Sequence, residues 1–230
     1  MIYENDYGKV DFFPSNTILD DKKKIGINLS GGADSALVLY MLANESASKK
    51  FDIIPITGID IKRPTNIWNA REIVDLIQEK FPESNIKDHE ENRYEKEHEK
   101  DKSNIHSQHE RSLFRDNKVD LIVHCRTSNP PLKIAKENNL LEKREEIRDH
   151  DQQKSLFPGN KKYYFPLTLV DKRFVAEEYK KLNLMENLFP ITASCIAYAD
   201  KTDNFTKPCK ECWWCKEKKW AFGMYDGGVL

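Results

Sequence analysis

Residues Ser30 to Ser35 read SGGADS, and four cysteines, Cys195, Cys209, Cys212 and Cys215, crowd the C-terminal part of the sequence. The first group can hold an anion. Two glycines tolerate positive φ and let backbone N–H groups approach a ligand closely. Ser30 and Ser35 add hydroxyl donors, and Asp34 can cap the following helix or help to hold magnesium. The loop is not GxxxxGK[ST], so it lacks the lysine that steadies a γ-phosphate. It suits a pyrophosphate better than a transferred γ-phosphoryl group.

The second group can hold a metal. Cys209, Cys212 and Cys215 form CKECWWC, two overlapping CxxC steps, and Cys195 in TASC stands 14 positions earlier. Four thiolates close a tetrahedral site, which is structural zinc by default because catalytic zinc keeps an open position. A redox CxxC and an iron–sulfur cluster remain alternatives, the latter because tight CxxCxxC runs are common there. The fifth cysteine, Cys125, ends an apolar run and reads as a small buried residue.

Elements must position these groups. The apolar run Ile25 to Leu29 predicts a strand from Lys24 to Leu29 feeding straight into the loop, and Ser35 to Asn44 predicts the helix after it. That helix would aim its free N–H groups and positive end at the anion. Phe51 to Ile59 reads as a second strand. Asn66 to Phe81 reads as a helix, with Ile67, Ala70, Ile73, Val74 and Ile77 on one face. Val119 to Cys125 reads as a strand buried on both faces, Tyr163 to Leu169 as extended chain and Asp171 to Leu182 as a helix. Alternation of strands and helices predicts an α/β fold: a doubly wound, mainly parallel sheet, with ligands beyond the carboxyl ends of its strands. We expect a nucleotide-binding domain over 1–190 and a small metal-binding knuckle over 191–230.

Between Lys87 and Arg115 the chain turns polar, with His89, His98, His106 and His109 among its charges. Mixed-charge blocks are normally solvated helical faces, and no chemistry is assigned to them. A weak strand near Asn85 to Asp88 and a helix from Ser103 to Asp116 fit the pattern. Asn138 to Asn160 reads as surface, with a turn at Pro158-Gly159.

Composition narrows the classes. The 230 residues carry 37 Lys plus Arg against 38 Asp plus Glu, a net charge of −1 that gives nucleic acid little purchase. No apolar run approaches the ~20 residues of a membrane span, and the N-terminal residues lack the pattern of a leader. These features predict a soluble, cytoplasmic protein whose cysteines bind metal in a reducing compartment.

SGGADS after a strand resembles the SGGxDS signature of PP-loop ATP pyrophosphatases. TASC, the CxxCxxC run, Lys218, Ala221 and Phe222 resemble the C-terminal zinc motif of 7-cyano-7-deazaguanine (preQ0) synthases, and Phe165-Pro166-Leu167 with Lys172 resembles the stretch before it. The resemblance implies that ATP is split to AMP and pyrophosphate. A small-molecule carboxylate would be adenylated, amidated with ammonia and dehydrated to a nitrile, with magnesium and zinc as cofactors and a homodimer as the working unit. It implies that Ser30, Gly31, Gly32, Asp34 and Ser35 hold phosphate and metal and that Lys172 is an electrostatic stabiliser of the phosphates. From their place in the loop after the buried strand, Arg126, Thr127 and Asn129 are expected to contact substrate or nucleotide, and the resemblance implies zinc at Cys195, Cys209, Cys212 and Cys215.

The chain also departs from the pattern. Thr57 to Arg63 replaces a YGQ-type segment, His124 to Pro131 replaces a tyrosine- and aspartate-containing loop, and the gap from Cys195 to Cys209 is long. Competing readings are a thiolating enzyme, a sulfonucleotide-type reductase, and a nonenzymatic module presenting Trp213, Trp214 and Trp220.

Overall fold

The computed structural model describes residues 2–12, 22–95, 99–142, 145–149, 156 and 161–230. The expected turn at Pro158-Gly159 and His98 lie outside them. Strands β1 (Ile2–Asn5) and β2 (Gly8–Asp11) form an antiparallel hairpin that the sequence reading did not anticipate. The main sheet contains β3 (Lys24–Asn28), β4 (Asp52–Asp60), β5 (Glu90–Tyr94), β6 (Leu121–Val123) and β7 (Tyr163–Tyr164) in the order β5-β4-β3-β6-β7, with every pairing parallel.

Helices α1 (Ala33–Lys49), α2 (Thr65–Lys80), α3 (Glu99–Arg115) and α4 (Leu132–Glu137) connect the strands, and α5 (Lys172–Lys181) and α6 (Trp213–Phe222) follow the last of them. The alternation of strand side chains explains the layers. Ile25, Ile27, Ile53, Leu121 and Val123 join the large core that includes α1, whereas Ile54, Ile56 and Ile122 pack with Leu113 of α3. Helices therefore cover both faces, which is the expected doubly wound arrangement. Helix α1 is buried almost all round, from Ala33 to Ser46, because it packs against the sheet, α2 and α5 at once.

From β3 the chain winds outward through β4 to β5, then α3 returns it to β6 on the other side of β3. The loops after β3 and β6 diverge at this switch point, opening a crevice beyond their carboxyl ends.

Several boundaries differ from expectation. The strand expected over Asn85 to Asp88 is a single bridge between Ile53 and Ile86, and the paired strand runs over Glu90–Tyr94 instead. Its exposed edge tolerates the polar sequence Glu90-Glu91-Asn92-Arg93 that argued against a strand. Helix α3 starts earlier than expected, at Glu99. Only Tyr163–Tyr164 of the expected extended chain pairs, because Pro166 has no N–H to donate and turns follow it. Among the described residues, no helix is long and apolar enough to cross a membrane.

Candidate active site

The loop from Ser30 to Gly32 leaves β3 and enters α1 at its buried N-terminus. Gly31 has φ +78°, and a Cβ there would lie 2.6 Å from the Asn66 carbonyl oxygen, so only glycine fits. Gly32 is the N-cap residue with no side chain to cap the helix, which leaves the first N–H groups of α1 for a ligand. The Ser35 hydroxyl donates to the Gly32 carbonyl at 3.0 Å and stands 3.2 Å from the Ser30 hydroxyl.

The loop opens on a cavity of about 380 Å³ that is lined by Ser30, Asp34, Ser35, Arg126, Thr127 and Lys172, among others. The lysine missing from the loop arrives from α5: Lys172 Nζ donates to Asp34 Oδ2 at 2.7 Å, across 138 positions of sequence. It is buried rather than a surface residue. Burial alone would lower the pKa of Lys172, but Asp34 and Glu217 outweigh that and hold it above the ordinary value. The other Asp34 oxygen, Oδ1, is buried without a hydrogen-bond partner. A hard cation such as magnesium suits an oxygen so placed.

The expected substrate residues part company. Arg126 lines the cavity with its guanidinium 5.2 Å from the Phe165 ring centre, and its Nε is buried with no hydrogen-bond partner. Thr127 also lines it, but its carbonyl and hydroxyl accept from Arg148 at 3.0 and 3.3 Å. Asn129 is not among the lining residues. Its amide is tied to the Glu145 carbonyl and Asp149, which fixes the loop after β6.

The cysteines converge. The sulfurs of Cys195, Cys209, Cys212 and Cys215 all lie within 4.8 Å of one another. Thiolates around one tetrahedral ion at ~2.3 Å stand about 3.8 Å apart, whereas an iron–sulfur cluster interposes several irons and pushes its cysteines further out. The observed set therefore fits a single ion. Backbone N–H groups of Cys209 and Cys212 donate to the sulfurs of Cys195 and Cys209, each at 3.3 Å, as thiolate support requires.

The knuckle reaches into the cavity wall through the strap Thr192 to Cys195. Ala193 N–H donates to the Gly31 carbonyl at 2.9 Å, so strap and Ser/Gly loop are joined directly. Asp226 accepts from the N–H groups of Ser194 and Cys195, and Lys218, fully buried, bridges Asp226 and Thr192. Trp213 is buried with its indole N–H on the Leu140 carbonyl, and the Trp214 ring meets it edge-on. Trp220 lies under the Arg173 guanidinium. Two of the three indoles are thus committed to packing within the protein and the third, Trp214, lines the cavity.

Sequence reasoning missed Asp226 and three residues that line the cavity: Arg148, Glu217 and Arg63, whose guanidinium donates to the Cys195 carbonyl at 3.1 Å. Arg148 lies in a segment read as surface, yet its side chain is largely buried in the cavity wall, over Trp213. The histidines are a second correction. His89 is 2.7 Å from the Thr57 hydroxyl and His106 packs on Gly58, so neither is a freely solvated residue. Asn28 links Glu110, at 2.8 Å, to His124, whose ring stacks on Phe165. Burial, with smaller contributions from His106 and Arg126, holds His124 down to about 4.

No family model matches the chain, and no curated protein matches it. Among solved structures it is similar to the U34-tRNA thiolase NcsA from Methanococcus maripaludis, determined with its [4Fe-4S] cluster. The identity is 15% over 87% of this chain and 70% of that one, with a TM-score of 0.46. The functional reading therefore rests on the residues of the site.

Proposed function

We propose that the protein is an ATP-dependent enzyme of the PP-loop kind that adenylates a carboxylate and converts it to an amide and then a nitrile. The substrate we favour is 7-carboxy-7-deazaguanine, giving 7-cyano-7-deazaguanine. The observation that carries the reading is that a lysine-free Ser/Gly phosphate loop, the Asp34–Lys172 pair and the strap of a four-cysteine knuckle meet in one cavity.

The N-terminus of α1 and the hydroxyls of Ser30 and Ser35 receive the pyrophosphate end of ATP. Magnesium, held by Asp34, would offset phosphate charge when bound. Lys172 supplies a fixed cation where negative charge grows as the α–β bond breaks. The substrate carboxylate, oriented by Arg126, attacks the α-phosphorus, and pyrophosphate leaves. Ammonia then attacks the activated carbonyl and AMP departs, leaving the amide. A second adenylation, on the amide oxygen, allows loss of AMP and two protons to give the nitrile. Acceleration comes from positioning and charge stabilisation, and no covalent enzyme intermediate is needed. Zinc at the four cysteines would be structural, holding the strap against the loop.

With all four knuckle cysteines on zinc, a thiolating reaction that relays sulfur through a cysteine has Cys125 alone to use. Cys125 lines the cavity, but burial and the nearby Asp34 push its thiol well above the ordinary value, which makes it a poor nucleophile. The test is incubation with ATP, magnesium, ammonium and 7-carboxy-7-deazaguanine, followed by mass spectrometry. Nitrile with AMP and pyrophosphate is expected. Amide alone would restrict the reaction to its first half, and ATP turnover insensitive to Asp34→Asn would overturn the reading.

A further inference from the structure

Glu217 sits on α6, two residues after the ligand candidate Cys215, and is 1% exposed. Its two oxygens are divided between two cations. Oε2 lies 3.3 Å from Lys172 Nζ, and Oε1 lies 3.3 Å from Arg148 Nη2. Lys172 in turn reaches Asp34 of the phosphate loop at 2.7 Å. A chain of alternating charge, Asp34–Lys172–Glu217–Arg148, thus runs from the nucleotide loop to the helix of the cysteine knuckle.

A buried ammonium must be paired, because the cost of desolvating it is large. Were Asp34 its only partner, Lys172 would hold the carboxylate that the proposed magnesium requires, and the two would neutralise each other. A second buried carboxylate changes this. With Glu217 beside it, Lys172 stays compensated when Asp34 turns to a cation, and its remaining hydrogens are released toward phosphate. Arg148 completes the balance, since it keeps Glu217 compensated and is itself fixed by the Thr127 carbonyl and the Trp213 ring.

We infer that Glu217 is a positioning residue for nucleotide binding: it anchors Lys172 so that arrival of magnesium–ATP exchanges the lysine's partner from Asp34 to phosphate. The inference rests on the adenylating reading of the cavity. It makes α6 more than a lid over the metal, because the register of that helix, set at Cys212 and Cys215, sets where Lys172 stands.

The test uses the full chain with its metal, and two probes, α,β-methylene-ATP and inorganic pyrophosphate, each with magnesium, titrated by calorimetry. Glu217→Gln keeps the volume and removes the charge. It should weaken both probes by at least about tenfold, since a buried partner has been lost, while elemental analysis still finds the parent's metal content. Lys172→Met should weaken them comparably. The double variant should then match Lys172→Met within about twofold, because residues acting through one another do not add. In turnover the loss should appear in KM for ATP more than in kcat. Parent-like affinity in Glu217→Gln, or losses that multiply in the double variant, would overturn the inference. Should Glu217→Gln fail to fold or lose metal, Glu217→Asp withdraws the charge by one methylene, and weaker probe binding supports the inference where parent-like binding overturns it. A parent that binds neither probe would sink the adenylating reading along with it.

Discussion

The phosphate loop and the wall that faces it are built in opposite ways. The loop draws its ligand groups from six consecutive residues, most of them backbone, and its shape follows from two glycines and a helix start. The facing wall is an assembly gathered from Arg126, Arg148, Lys172, the strap residues Ala193 to Cys195 and Glu217. A backbone cradle needs only local chain geometry, whereas a charged wall needs every member in place to keep its neighbours paired. Damage to the loop should therefore be local and chemical, and damage to the wall should spread.

The largest effect expected on this contrast is from Asp34→Asn, which takes a carboxylate from the loop. ATP turnover should fall by about a hundredfold or more, with thermal unfolding close to the parent's. An equal loss of stability would show that the loop is not the local unit described. Next comes Cys212→Ser, which opens the knuckle. Metal content should fall, the strap should lose its hold on Gly31, and the unfolding temperature should drop by roughly 5–10 °C together with turnover. Retained activity in a metal-free variant would break the link between the two walls.

A smaller, more selective effect is expected from Arg126→Ala. Because its guanidinium rests on Phe165 and its Nε has no protein partner, KM for the carboxylate should rise about tenfold while nucleotide affinity stays near the parent's. A change in the opposite pattern would move Arg126 to the nucleotide side.

A further effect concerns pH. His124 ionises near 4 in the folded chain, below its unfolded value, so the unfolded state binds the proton first as pH falls. Nothing is lost above the unfolded value of about 6.5. Between there and about 4 the folded state should lose a few kcal/mol, and His124→Phe should flatten that part of a denaturation-against-pH curve. An unchanged slope would assign the acid sensitivity elsewhere.

The same contrast explains what could be read from the sequence. The turn at SGGADS was legible because contiguous residues carry both its glycines and the helix start that follows, and the parallel sheet was legible from apolar runs such as Leu121 to Val123. The four-cysteine convergence was legible because CxxC spacing is itself geometric, and the structure brings Cys195 to join it. Glu217 and Arg148 were not, since a charged residue in a polar stretch has the sequence signature of solvated surface whether or not tertiary packing buries it. The histidines failed for the same reason: nothing local says that Gly58 leaves room for His106. Strand β5 was displaced because polar edge strands lack the apolar run that marks central ones.

The grip of Asp226 on Ser194 and Cys195 bears on how the protein is made. A chain emerging from the ribosome can form β3, the loop and α1 early, since synthesis proceeds from the N-terminus and local units fold first. The facing wall must wait until residue 226 has cleared the exit tunnel. A nascent chain therefore carries the Ser/Gly loop without its counter-wall until the residues through Asp226 have emerged.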